Sequence, residues 1–518
     1  MKQSIKSKFL LKTIVISISV FLGMGVIDAQ VLEITGNTVL QEDITDGIHV
    51  ASGITATLDL NGHKVTGKAS TTNTKFYDDE KEAEVNIDSP YAAIVNEGTL
   101  TIIDSKANEE NENNRGKVSA TTGNGYALLN RNGKVIINGG IFYSNVSAST
   151  VANGWYTGKQ NKAKTYSELI INGGEFINDT TSNASVKNDE YGILKIYGGS
   201  FKRTKNSYYA IQQAGKELII DGKSTVNIVG NIQLSFRGAD PDRTIELTGK
   251  INMNGSINCA TEATKTSTAD LYIHDITGTI IGITMTDATV KRALFENFTM
   301  TGTLIYNGLG ATGTVNNVKG SVAKTNGTES YLLVKNSTFN KVEASNGKIE
   351  IKNSDIATHV TTMYGATVII DGGNYGIVSA MTYPTNFNYL SGGHIIIKST
   401  ENATKIESIV GSKGKNADSI SSILIDGNNI TVKGDITVAR EAEVTINGGL
   451  FEGNLLNIKE GIAANSYYAA EGLYDISGGT FDNEPNSAFI KDGYIKVLKD
   501  KQYVVLVDKA DILVLIKF

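Results

Sequence analysis

The sequence predicts an all-β protein, a right-handed parallel β-helix that forms one elongated domain with capped ends. Three observations predict this fold: a short motif with a Gly pair recurs along the chain, neighbouring copies lie one solenoid winding apart, and the composition favours tight turns. Of the 518 residues, 54 are Gly, 4 are Pro and 1 is Cys. This composition argues against both a collagen-like chain and a disulfide-stapled scaffold.

Six clear copies and two weaker copies of the motif share an apolar first position and an invariant third position. The second position accepts polar residues such as Lys195 and Thr445. Because side chains on a strand point alternately to opposite faces, this alternation predicts a half-buried strand. The third residue is Ile in every copy: Ile137, Ile171, Ile196, Ile220, Ile370, Ile425, Ile446 and Ile476.

Gly lies two positions after the invariant Ile in all eight copies, and a second Gly follows in six of them. A position that only Gly fills needs a positive φ or has no room for a Cβ atom. An aromatic or β-branched residue then points back inward, as Phe142, Phe176 and Phe201 do in three copies. One strand and one turn therefore make one side of a coil.

The spacing of the copies predicts a solenoid. Ile196 and Ile220 are 24 residues apart, and Ile425 and Ile446 are 21 residues apart. Such values match one winding of a parallel β-solenoid, and a longer spacing leaves residues for a projecting loop. Each repeat can bury its apolar face only against the next, so the invariant isoleucines are expected to stack into an internal ladder. Right-handed winding is expected because parallel crossovers are overwhelmingly right-handed.

Residues 1–29 are predicted to be a secretory signal peptide, with a membrane anchor as the alternative. Lysines precede the apolar run 13–26, and the small residue Ala29 follows it. We expect an N-terminal cap at 30–50, the β-helix at 51–485 and C-terminal strands or a cap at 486–518. The helix is expected to be less regular at 230–360, where the Gly pair is lost. No other apolar run is long enough to predict a membrane span.

The formal net charge is −6, and it becomes −9 without residues 1–29, which hold four Lys and one Asp. Nucleic acid is an improbable partner, because binding it requires Lys and Arg to neutralise phosphates. The acidic stretches 77–82 and 108–114 could gather Ca²⁺ but lack Gly-containing ligand spacing, so solvated loops are the favoured interpretation. We expect neither a metal nor a cofactor. Lone Cys259 has no assigned role, and the five histidines show no pair at metal-ligand spacing: His49, His63, His274, His359 and His394.

The motifs resemble those of secreted and surface β-helix repeat proteins of bacteria, which share the pectin-lyase-like fold. The resemblance rests on the opening Thr-Leu-Asp-Leu-Asn-Gly-His at 57–63, the Ile-Asn-Gly-Gly-x-Phe coils and the Gly-Gly-Thr-Phe ending at 478–481. It covers roughly residues 50–225 and 365–505. It implies an extracellular protein, usually an adhesin and less often a polysaccharide-cleaving enzyme.

One charged cluster could carry polysaccharide cleavage, which needs an acid and a base on either side of one bond. It comprises Arg237, Asp240, Asp242 and Arg243. However, Asp-Pro-Asp is ordinary turn chemistry, and the arginines could simply pair with the two aspartates. The cluster is therefore a weak catalytic candidate, and a turn is the favoured interpretation.

Two aromatic segments outside the repeat are the candidate ligand-binding sites. Trp155 and Tyr156 lie in the extra residues of the 34-residue winding, and Tyr383, Phe387 and Tyr389 form a second group. Flat aromatic faces beside Asn and Thr suit sugar rings or a protein partner. The alternative is that these rings only cover the outer surface of the solenoid.

These observations favour an extracellular, non-catalytic interaction protein that binds a host or cell-surface glycan or protein through projecting loops. A polysaccharide lyase or glycoside hydrolase is the main alternative. A structural component of a surface layer is the third.

Overall fold

A computed structural model describes residues 30–70, 75–78, 83–86, 91–120, 125–155, 165–205, 209–235, 242–260, 268–285, 290–308, 312–328, 330–380, 393–412, 421–439, 442–458 and 473–508. The described chain is built from β-strands, with two short 3₁₀ turns at Glu112–Asn114 and Ser487–Phe489. Within these residues no helix is suited to crossing a bilayer. The chain divides into two compact units, residues 1–232 and residues 233–518.

Unit 1 consists of three rows of parallel strands, in which each strand pairs with the strand one winding later. This is the arrangement of a β-solenoid. The first row contains β2 (Thr38–Val39), β4 (Thr55–Asp59), β9 (Thr99–Ile103), β12 (Lys134–Ile137), β15 (Ser167–Ile171), β18 (Gly192–Ile196) and the start of β21 (Glu217–Val229). The second row contains β5 (Lys64–Val65), β10 (Lys117–Ala120), β13 (Ile141–Ser144), β16 (Glu175–Asn178), β19 (Gly199–Arg203) and the end of β21.

The third row contains β1 (Leu32–Glu33), β3 (Ile48–Val50), β8 (Ala92–Asn96), β11 (Tyr126–Asn130), β14 (Val151–Asn153), β17 (Val186–Asn188) and β20 (Tyr209–Gln213). A separate antiparallel hairpin joins β6 (Lys75–Asp78) and β7 (Ala83–Asn86). The strand β22 (Asn231–Ser235) contains the boundary between the units. Residues 30–50 form β1–β3, which pair in parallel with other strands of the rows.

The core of unit 1 is the predicted ladder. Ile137, Ile171, Ile196 and Ile220 are partners in register in consecutive strands of the first row and are fully buried. Beside the ladder, the rings of Phe142, Phe176 and Phe201 stack with centroids 5.1 and 4.9 Å apart. The invariant residues of the motif are therefore the side chains that neighbouring windings bury against each other.

The two positions of the Gly pair require glycine for different physical reasons. The second has a positive φ, for example +104° at Gly174 and +107° at Gly479, a region that other L-residues rarely adopt. At Gly198 the first glycine is limited by space, since a Cβ atom there would lie 2.5 Å from the carbonyl oxygen of Asn172 in the preceding winding. The prediction that these positions need positive φ or lack room for a Cβ atom is confirmed for these three glycines.

A ladder of buried amides runs through the third row of unit 1. Each side-chain amide donates to the side-chain oxygen of the next residue at 2.7–2.8 Å. Because buried polar groups are costly unless hydrogen-bonded, this ladder fixes the register of the row. Its members are Asn96, Asn130, Asn153, Asn188 and Gln213, all of them buried.

Unit 2 also stacks its strands in parallel from one winding to the next. One row contains β23 (Asp242–Asn254), β25 (Thr268–Ile276), β27 (Val290–Thr299), β29 (Thr312–Thr325), β30 (Tyr331–Lys335), β32 (Lys348–Met363), β33 (Thr367–Ser379), β34 (His394–Lys398), β36 (Ser422–Asp426), β39 (Glu443–Ile446) and β42 (Leu473–Ile476).

The longer strands of this row continue into the other sides of the winding, where shorter strands complete the stacks. These are β24 (Ser256–Ala260), β26 (Gly282–Met285), β28 (Thr303–Tyr306), β31 (Thr338–Ser345), β35 (Thr404–Ser412), β37 (Ile430–Val432), β38 (Ile436–Ala439), β40 (Leu450–Phe451), β41 (Leu455–Ile458) and β43 (Thr480–Phe481). An antiparallel hairpin of β44 (Tyr494–Lys499) and β45 (Gln502–Val507) then pairs with β43.

In the region without Gly pairs, other apolar residues form the internal ladder. Phe295, Val315 and Val334 occupy the position of the invariant Ile and are fully buried. Two positions after the ladder residue, Asn297 and Asn317 adopt φ values of +56° and +53°. Asn tolerates the left-handed region better than other non-Gly residues. The turn is therefore retained where the sequence motif is lost.

Candidate functional site

The charged candidate segment is only partly within the described residues. Arg237 and Asp240 lie outside them, and Asp242 is the first residue of β23. Arg243 is only 3% exposed, and its Nη1 donates to the carbonyl oxygen of Ser235 at 2.9 Å. A guanidinium buried against a backbone carbonyl holds local structure, so Arg243 is not placed to act on a ligand from solution.

Trp155 is not the exposed ring that a ligand-binding role requires. It is 3% exposed, and its indole stacks on Tyr191 with ring centroids 4.5 Å apart. The turn at Gly154, with φ +76°, directs the following residue into this packing. The other aromatic candidates lie outside the described residues: Tyr156, Tyr383, Phe387 and Tyr389.

The structure instead places a polar groove of about 340 Å³ on unit 1, over the turns that lead from the third row of strands into the first row. It extends over four consecutive windings, because its walls come from residues just before or at the start of β4, β9, β12 and β15. The lining residues are Ser52, Gly53, Ile54, Thr55, Glu97, Gly98, Thr99, Asn132, Gly133, Lys134, Tyr166 and Glu168.

Glycines let the turns beneath this groove stack closely. A Cβ atom on Gly98 would lie 2.5 Å from the carbonyl oxygen of Ile54, and one on Gly133 would lie 2.4 Å from Nδ2 of Asn96. The buried amide ladder supports the same turns, since Asn96 donates to the carbonyl oxygen of Gly98 at 3.0 Å and Asn130 to that of Gly133 at 3.1 Å. The groove therefore has a rigid floor held by packed and hydrogen-bonded groups.

Opposite charges alternate from the groove along the outer face of the first row. Nζ of Lys134 lies 2.8 Å from a carboxylate oxygen of Glu168, and Nζ of Lys195 lies 3.3 Å from the other oxygen. Burial raises the pKa of Glu168, but the hydrogen bonds and charges of the two lysines outweigh burial and leave that pKa below its usual value. Glu168 is therefore held as a carboxylate.

A second carboxylate of the groove, Glu97, belongs to a cluster around the buried ring of His49. Nε2 of His49 lies 2.9 Å from Oε2 of Glu97, and Nδ1 lies 2.9 Å from both carboxylate oxygens of Glu33. The hydrogen bond to Glu97 is the largest influence on the ring and, with Glu33, raises the pKa of His49 despite its burial. In the sequence His49 is one of five scattered histidines, because its partners lie 16 and 48 positions away.

Tyr166 supplies the aromatic ring of the groove and is not among the binding residues that the sequence predicts. It lies in the same 34-residue winding as Trp155, at the other end of the additional residues. The sequence feature that indicates the groove is the short turn before each ladder strand, such as Glu97-Gly98 and Asn132-Gly133. These turns stack in the structure, although only their glycines stand out in the sequence.

Unit 2 has a comparable groove of about 360 Å³, lined by Ile276, Gly278, Asn297, Phe298, Thr299, Asn317 and Lys319. Its single aromatic residue, Phe298, is buried, and no carboxylate lines it. Amides form its edge, since Asn317 donates to Asn297 and Asn297 donates to Asp275, each at 2.8 Å. The groove of unit 1 offers the more varied set of donors, acceptors and aromatic surface.

Within the part of the chain that the structure describes, no three His, Cys, Asp or Glu side chains form a group that could hold a metal ion. Comparisons with family models, with curated proteins and with solved structures find no match to this chain.

Proposed function

We propose that this protein is an extracellular, non-catalytic binding protein built on a right-handed β-solenoid, and that it binds a glycan chain in the groove of unit 1. The observation that carries the proposal is the combination of Tyr166 with carboxylates, a lysine and Thr hydroxyls on stacked, rigid turns. The predicted signal peptide and the resemblance to surface β-helix proteins support secretion and a place at the cell surface.

The groove matches the chemistry of a sugar chain. A tyrosine ring offers a flat apolar face to a sugar ring, and sugar hydroxyls pair with both donors and acceptors. Lys134 can donate hydrogen bonds to sugar hydroxyls, and the carboxylates of Glu97 and Glu168 can accept hydrogen bonds from them. The hydroxyls of Thr55 and Thr99 can do both. Four windings at about 4.8 Å spacing give a length of about 14 Å between the outer turns, which suits a linear oligosaccharide.

Binding is better supported than cleavage by the state of the carboxylates. Glycoside hydrolysis requires one carboxyl group with a raised pKa as the proton donor. Glu168 has a lowered pKa because of Lys134 and Lys195, and Glu97 is hydrogen-bonded to His49. Both carboxylates are engaged with cationic or donor groups, as suits fixed acceptors for hydroxyls.

The proposal is tested by screening the purified chain on a glycan array and measuring the affinity of the strongest neutral oligosaccharide by calorimetry. Tyr166→Ala should weaken that binding by about tenfold or more, as expected for loss of an aromatic contact. Tyr197→Ala is the matched control. Tyr197 is also half-buried in unit 1 but contacts Lys223 outside the groove.

Equal weakening by both Tyr variants would contradict a site in the groove. The non-catalytic assignment would be overturned if the protein released reducing ends or unsaturated sugars from a bound glycan and the Glu97→Gln variant did not.

A further inference from the structure

The cluster of Glu33, His49 and Glu97 ties the first strand of the described chain to a turn 64 positions further on. Glu33 belongs to the two-residue strand β1, which pairs with β3 through Leu32–Ile48 and Glu33–His49. Glu97 follows β8 directly and lines the groove. His49 lies between them with its side chain 4% exposed. In addition to the backbone pairing of β1 with β3, the His49 ring therefore connects β1 to the turn after β8.

We propose that this cluster is a pH-sensitive latch that holds β1 on unit 1 while the His49 ring carries two protons and releases β1 when the ring loses one. The inference is independent of glycan binding. It follows from the number of N–H groups on the ring and from the unequal burial of the two carboxylates.

A doubly protonated imidazole donates through both nitrogens, so it satisfies Glu33 and Glu97 together. A neutral ring has one N–H, and its other nitrogen then presents a lone pair to a carboxylate 2.9 Å away. One of the two carboxylates must then lose the hydrogen bond from the ring. The cluster therefore cannot keep both contacts once the ring is neutral.

The carboxylate that leaves is the one that water can solvate at lower cost. The Glu33 side chain is 55% exposed, whereas the Glu97 side chain is 11% exposed. An exposed carboxylate exchanges its partner for water, while a buried one pays the desolvation penalty. The neutral ring is therefore expected to keep its proton on Nε2 for Glu97 and to release Glu33, leaving the groove wall in place.

The charged groups that act on the ring among the described residues are Glu33 from β1 and Glu97 from the turn after β8, and both favour the charged form. The buried Arg131 also interacts electrostatically with Glu97, which favours retention of that carboxylate in its place. The raised pKa of His49 sets the direction of the effect. The latch is complete below the ordinary His value of 6.5 and is lost as the pH rises through the higher value of the folded protein.

Amide hydrogen exchange at single residues tests the latch, using protection factors that correct for the intrinsic pH dependence of exchange. The reporters are Leu32, whose N–H donates to the carbonyl oxygen of Gly47, and Ile34, whose N–H donates to that of His49, both at 2.9 Å. Between about pH 5.5 and about pH 8.5, their protection should fall by about tenfold or more. Protection of Thr99, whose N–H bonds Ile54 in the groove wall, should not change.

Three variants separate the latch from a general effect of pH. Glu33→Gln should retain protection of Leu32 and Ile34 at about pH 8.5, because an amide can donate to the lone pair of the neutral ring. His49→Gln should remove the pH dependence. His274→Gln is the matched control, since His274 also lies between two carboxylates, Glu246 and Asp275, but belongs to unit 2.

Protection of Asn172, whose N–H bonds the carbonyl oxygen of Ile137, shows in each variant that unit 1 is folded. The latch is overturned if protection of Leu32 and Ile34 in the wild type does not fall with pH, or if the same fall persists in His49→Gln. A loss of protection at Thr99 that matches the loss at Ile34 would also overturn it, since that result would mean that Glu97 rather than Glu33 is released.

Discussion

Single positions in this chain are constrained by what lies directly above and below them. The invariant Ile of the motif contacts the same position one winding earlier and one winding later, so no neighbouring segment can move to fill a gap without disturbing two pairings. The next residue on the strand faces outward and is free to vary. This difference explains why Ile171 is paired with Ile196 in the next strand, whereas the outward-facing Ile170 is paired with Lys195.

Ile171→Ala should lower the free energy of unfolding by about 2–5 kcal/mol, because the side chain is fully buried and its stacked partners Ile137 and Ile196 cannot close the cavity. Lys195→Ala should cost less than about 1 kcal/mol, the scale of partly exposed ion pairs. Chemical denaturation of both variants measures the difference. If Lys195→Ala were as costly as Ile171→Ala, the assignment of inner and outer faces would be wrong.

Among the strands, the regular features were predictable from the sequence because they repeat with a fixed period. The alternation of inner and outer residues, the Ile ladder and the Gly turns all follow from the spacing within one motif. The region at 230–360 was harder to interpret because Asn297, Asn317 and their equivalents replace Gly at the turn. A search for left-handed residues in general, rather than for Gly, would have extended the repeat.

Polar contacts between windings were not predictable from the motif. Asn96 meets Asn130, and His49 meets Glu97, only because insertions of unequal length place them in register. The burial of Trp155 against Tyr191 likewise depends on the length of the following winding. Sequence spacing specifies the repeat, whereas loop lengths decide which side chains outside it become neighbours.

The buried amide ladder should contribute more to stability than an exposed amide pair of similar geometry. Asn153→Ala removes the donor to Asn188 and the acceptor from Asn130, both at 2.7 Å, and leaves buried groups unsatisfied. We expect the free energy of unfolding to fall by about 2–4 kcal/mol. Asn172→Ala, which breaks an exposed bond to Asn138 at 2.7 Å, should cost about 0.5 kcal/mol or less.

Thermal and chemical unfolding of these two Asn variants provide the comparison. Equal costs would mean that the ladder of the third row does not hold the turns beneath the groove. The ladder would then not account for the rigid floor of the proposed binding groove.

Over the whole chain, the residues that build the solenoid differ from the residues proposed to bind a ligand. Ladder positions lie inside both units, including Val315 and Val334 where the Gly pair is absent. Groove residues such as Tyr166 and Lys134 line a surface and do not belong to the ladder. The proposed binding depends on a small part of the surface, while the fold depends on positions distributed along the chain.

A saturation mutagenesis scan of the entire chain, scored once for the amount of folded protein and once for binding to the strongest array glycan, tests this separation most directly. We predict that polar substitutions at ladder positions of both units lose folding and binding together. Substitutions of Tyr166 and Lys134 should lose binding alone. Folding losses spread evenly over inward and outward positions, or binding losses concentrated away from the groove in variants that fold normally, would contradict the account.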